Sequence, residues 1–67
     1  MRTEAEQAEV IFRHLSAAAN AERMERTATS ARARLAWRTV AGEYRALARE
    51  LQAEADSRTL PPARRSA

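Results

Sequence analysis

Between Ala33 and Ala55 the residues Trp37, Val40, Tyr44, Leu47 and Leu51 follow one another at alternating steps of three and four. That period places all five side chains along one stripe of an α-helix. With Trp37 in heptad position a, Val40 and Leu47 occupy d, while Ala41, Ala48 and Ala55 recur at position e. The stripe is thereby widened into a core-facing face, and its alanines let another helix approach closely. Arg34, Arg38, Arg45 and Arg49 fall together on one flank, and Glu43, Glu50 and Glu54 on the other. The helix face therefore has a charge polarity.

A chain of 67 residues rich in Ala, Arg and Glu, with a single Gly, is at most one small all-α domain. Two helices alone bury little apolar surface. Against roughly 1.5 kcal/mol of conformational entropy per ordered residue, a lone hairpin comes out near zero net stability. The usual remedies for a small core are missing, since there is no Cys to form a disulfide and the one His cannot build a zinc site alone. Self-association or docking on a larger protein is the remaining expectation.

All twelve basic residues are arginine and nine carboxylates oppose them, for a formal net charge of +3. Arg in place of Lys, together with abundant Ala, also fits a GC-rich coding sequence, so the basic balance does not by itself indicate nucleic-acid binding. The start, Met1 to Glu6, lacks an apolar signal core, and no apolar run approaches the ~20 residues that span a bilayer. A cytoplasmic location with no membrane partner is expected.

Taken in order, helix 1 is predicted over about 3–26. Thr3 is its N-cap, with Glu6 at capping-box spacing and Glu4 and Glu6 at the positive end of the helix dipole. Ala8, Ile11, Phe12, Leu15, Ala18 and Ala19 make its main apolar stripe; Val10, Ala17, Ala21 and Met24 make a second. Two stripes imply two packing partners, one being helix 2 of the same chain and the other a second chain or a foreign protein. His14 lies between them as a half-buried helix histidine. Glu9 with Arg13, and Glu22 with Arg26, have the favourable i,i+4 orientation.

The apolar period fades over 26–30, where Thr27, Thr29 or Ser30 can cap a second helix over about 30–57. A single continuous helix over about 3–57 is the competing reading, because no Gly or Pro precedes Gly42 and a seam of Ala21, Met24, Ala28, Ala31 and Leu35 crosses the break. Asn20 is a second place where the first helix can end. Gly42 lies on the outer side of helix 2. Pro61 and Pro62 stop that helix, and 59–67 is expected to be a disordered Pro/Arg tail.

The run Trp37-x-x-Val40-Ala41-x-x-Tyr44-x-x-Leu47-Ala48 resembles short uncharacterised two-helix proteins of alphaproteobacterial type, whose helices end in an aromatic-x-x-Leu-Ala pattern. The resemblance covers about half the chain. It departs at the start of helix 2, where those proteins frequently carry an Asp-Pro-Glu type cap and this chain has Ser30-Ala31-Arg32. The resemblance implies a helical hairpin and no particular activity.

Catalytic, cofactor-binding and metal residues are each expected to be none: no Cys, no Gly-rich phosphate loop, no nucleophile elbow, and no Glu-x-x-His pair at His14. The fold class expected is an all-α helical hairpin completing a four-helix bundle as a homodimer. Its interface and core residues are Ile11, Phe12, Leu15, Met24, Trp37, Val40, Tyr44, Leu47 and Leu51, acting in a non-catalytic interaction or small regulatory module. The rival reading is a basic nucleic-acid-binding regulator using Arg34, Arg38, Arg45 and Arg49, which span about 22 Å of helix face at 1.5 Å per residue.

Overall fold

The computed structural model describes residues 2–59, which form two helices, α1 (Glu4–Thr27) and α2 (Ala31–Thr59), packed as an antiparallel hairpin. As numbers rise along α1, their partners on α2 fall: Gln7 bonds to Leu51, His14 meets Tyr44, and Glu25 pairs with Arg38. The expected tail lies outside the described residues except for Thr59, which closes α2.

Each helix starts where a side-chain oxygen can serve the orphan N–H groups of the first turn. At α1 the Thr3 hydroxyl accepts from the Glu6 N–H at 3.1 Å, and the Glu6 carboxylate accepts from the Thr3 N–H at 2.8 Å. The Thr3 backbone N–H, and then its hydroxyl, hold the Glu6 carboxyl below its ordinary value. At α2 the Ser30 hydroxyl accepts from the Ala33 N–H at 3.1 Å, three residues on.

The turn between the helices ends the continuous-helix alternative, and it does so without glycine. Thr27 Oγ1 donates to the carbonyls of Arg23 and Met24, at 3.2 and 3.3 Å, while Ala28 moves to extended backbone with φ −65° and ψ 139°. The Arg34 guanidinium then donates to the exposed Ala28 carbonyl at 3.1 Å. Thr and Ser side chains that compete for backbone groups are what break the helix here. No described residue needs a positive φ. Asn20 does not interrupt α1; its side chain accepts from Arg23 at 3.1 Å, one turn on.

The most deeply buried positions of the seam between the helices are alanines, alternating with larger, less buried side chains. Ala41 is fully buried, Ala21, Ala18 and Ala48 are 1, 2 and 3% exposed, and Ile11 is the one larger apolar residue among the buried ones. On α1 the seam runs Gln7, Ile11, His14, Ala18, Ala21, at steps of four and three, so it passes between the two apolar stripes and takes part of each. On α2 it runs Trp37, Ala41, Tyr44, Ala48, Leu51, Ala55. The d positions assigned to the core are therefore displaced: Val40 is half-buried and Leu47 is 44% exposed, while the e-position alanines lie innermost. Close helix approach is set by the smallest side chains, and larger ones beside them are turned to the flanks.

Gly42 is exposed, has an ordinary helical φ, and a Cβ added there meets nothing within 4 Å. Gly42→Ala is expected to stabilise the protein by about 0.5–1 kcal/mol, through reduced unfolded-state entropy. Thermal melts followed at 222 nm check this. A fall in the midpoint would mean that something outside the hairpin approaches the Gly42 backbone.

Candidate interaction surfaces

With alanines inside, the large apolar side chains are left outside. Phe12 is 69% exposed, Leu35 61%, Leu15 48%, Leu47 44% and Met24 40%. Heptad spacing sorts most of these into two flanks of the hairpin.

On the first flank, Ala8, Leu15 and Glu22 of α1 recur every seven residues, as do Arg38, Arg45 and Gln52 of α2. The ion pair between Arg45 and Glu22 joins the two series across the seam. A second pair, Arg38 to Glu25 at 2.9 Å, crosses nearer the turn. Towards the open end this flank becomes a groove of about 670 Å³, walled by Ala8, Phe12 and Leu15 of α1 and by Gln52, Ala55 and Asp56 of α2. Among the described residues one polar side chain lies buried at this end, Gln7, 4% exposed. Its amide donates to the Leu51 carbonyl at 3.3 Å and accepts from Arg2 at 3.4 Å.

On the second flank, Val10, Ala17 and Met24 of α1 recur at seven, as do Ala33, Val40 and Leu47 of α2. Here a shallow hollow of about 580 Å³ lies over Val40, Tyr44 and Leu47, rimmed by Glu43 and Glu50. Beside the seam this flank is apolar on both helices as far as Leu47, and Glu54 is the next residue of the α2 series.

Of the interface and core residues expected from sequence, Ile11 is buried in the seam, and Trp37, Tyr44 and Leu51 are half-buried along it. Tyr44 stacks at a tilt on His14, with ring centroids 5.9 Å apart. Phe12 and Leu15 stand on the first flank, and Met24, Val40 and Leu47 on the second, so the structure does not bring Phe12 and Leu15 to Leu47. The arginine face is largely used inside the chain. Arg34 serves the turn, Arg38 and Arg45 pair with α1, and only Arg49 of the four makes no bond among the described residues.

Sequence reasoning did not find the two ion pairs that cross between the helices. The local spacing gives Glu22 the partner Arg26 and gives Glu25 none, and only the hairpin register reveals Arg45 and Arg38 opposite. Glu9 and Arg13 do pair as their spacing implies, at 2.6 Å. Gln7 was missed too, although it stands one step of four before Ile11 and so continues the seam.

Among the described residues there is no group of three or more His, Cys, Asp or Glu able to hold a metal ion, and no helix long and apolar enough to cross a membrane. Compared with protein-family models, curated proteins and solved structures, the chain matches none.

Proposed function

We propose that this chain is a non-catalytic helical interaction module of the cytoplasm, each copy supplying half of a homodimeric four-helix bundle. The observation that carries this reading is that four of the five buried apolar residues are alanines, while Phe12, Leu15, Met24 and Leu47 stay 40–69% exposed. Fully burying a side chain of that size contributes about 1.5–3 kcal/mol. A hairpin whose own balance is near zero is then stabilised chiefly by a partner that covers a share of this apolar surface. The same surface serves docking on a larger protein.

Sedimentation equilibrium across a concentration series, read beside far-ultraviolet circular dichroism, tests the proposal. A helical species at twice the 7.5 kDa chain mass is the expected result. A weakly helical monomer at every concentration would overturn the bundle and turn the search to a foreign partner. Nucleic-acid binding by the arginine face is the weaker reading, because Arg38 and Arg45 already face carboxylates of their own chain. Such binding requires cations free to neutralise phosphates.

A further inference from the structure

Resting on that bundle reading, we propose that the second copy seats on the flank carrying Val10, Ala17, Met24, Val40 and Leu47, with the turns of the two hairpins at the same end. On this flank the positions beside the seam are apolar on both helices, Val10, Ala17 and Met24 facing Ala33, Val40 and Leu47, and charge enters at the rim and at Glu54 near the open end. The other carries Ala8, Leu15 and Glu22 on α1 and Arg38, Arg45 and Gln52 on α2, and two ion pairs cross it.

The available area is adequate. The 24 residues of α1 extend about 36 Å at 1.5 Å each, and two packed helices present a face roughly 18 Å wide. Covering it on both copies removes roughly 1,300 Å² from water, within the range of about 1,200–2,000 Å² for specific interfaces.

Charge selects the occupant and its direction. The α2 rim of this flank carries Glu43 and Glu50. On α1 the corresponding outer edge carries Glu6, whose carboxylate is held by the Thr3 N–H in the cap, and, beside Val10 and Ala17, Arg13, an exposed residue whose bond to Glu9 uses one of its five donors. When the two turns lie together, α1 of one copy runs antiparallel over α2 of the other in the hairpin's own register. Arg13 then falls between the levels of the partner's Glu43 and the partner's Glu50. When the turns lie at opposite ends, α2 meets α2, and the four carboxylates gather near the two-fold axis. The first arrangement pairs opposite charges, and the second opposes like ones.

The full chain has no cysteine, so a single Thr29→Cys carries one spin label in the turn. Dipolar spectroscopy on the dimer is expected to give a label separation under about 30 Å, whereas opposite-end packing sets the turns about a helix length apart, above about 40 Å. Leu47→Glu is expected to weaken dimerisation at least about 100-fold, and Phe12→Glu by less than about 3-fold. Arg13→Glu is expected to weaken it about 10-fold, and adding Glu43→Arg and Glu50→Arg to restore it, a rescue that loss of folding cannot imitate. A long label separation overturns the arrangement while leaving the bundle standing. Sensitivity to Phe12→Glu with indifference to Leu47→Glu overturns the choice of flank. Failure of the unsubstituted chain to dimerise overturns both this inference and the reading beneath it.

Discussion

Ala41→Leu is expected to lower the thermal midpoint by roughly 8–15 °C, the largest effect of any conservative apolar substitution in the chain. Ala41 has no exposed surface, and Ala18, Ala21 and Ala48 around the same seam are 1–3% exposed. Three further heavy atoms at this point push the helices apart along their length, because two rigid rods in contact cannot yield locally. Overpacking a tight interior costs about 1–3 kcal/mol, and in a domain this small each kcal/mol is worth about 4–8 °C. Helicity at 222 nm through a thermal scan measures it. Leu35→Ala is the control: Leu35 is 61% exposed, and the expected change is within about 0.5 kcal/mol. A midpoint unmoved by Ala41→Leu would place the seam elsewhere on α2.

That seam is also where sequence reasoning came close and then missed by one step. The period of three and four is a strong signal for helices, and both helices are there, with Thr3 capping the first as its spacing with Glu6 implies. The capping of α2 by Ser30 was likewise within reach, since short polar side chains in a fading apolar pattern have few other uses. What the pattern does not encode is rotation. A stripe holding both large residues and alanines can turn either toward its partner, and ranking by hydrophobicity favours Val40 and Leu47 over Ala41 and Ala48. Closeness of approach decides the matter in favour of alanine, and this depends on the opposing helix, which also offers Ala18 and Ala21.

The candidate surfaces were legible in part for the same reason. Two apolar stripes on helix 1 were visible in the sequence, and the structure shows the seam passing between them, leaving Phe12 and Leu15 on one side and Met24 on the other. The separation of Phe12 and Leu15 from Leu47 follows from that rotation. Ion pairs between residues 23 and 13 positions apart depend on the register of the hairpin, which a local period cannot supply. The arginine flank looked like a free cationic surface because its carboxylate partners lie on the other helix.

Gln7 gives the second large effect, and its two substitutions pull in opposite directions. The side chain is 4% exposed, with its amide nitrogen 3.3 Å from the Leu51 carbonyl. Gln7→Glu changes almost no volume but replaces that donor with an acceptor, so a carboxylate oxygen faces a carbonyl oxygen in a site nearly closed to water. Arg2, 3.4 Å from the other oxygen, can serve only that side. The variant is expected to be about 2 kcal/mol less stable at pH 7. Burial and the facing carbonyl favour the protonated acid, raising its folded pKa above the unfolded value. The deficit is therefore full above the folded pKa and shrinks as pH falls toward the unfolded one, where the acid can donate to Leu51. Midpoints of variant and parent measured at matched pH from 7 down to 4 should converge, even as loss of the Glu6 cap weakens both. Gln7→Leu removes the desolvated amide and is expected to raise the midpoint by several degrees. It also removes one of the hydrogen bonds between α1 and α2, the one at the open end, that hold them in one register. If the leucine variant melts higher but less cooperatively, Gln7 is there to fix the alignment on which Arg13, Glu43 and Glu50 depend.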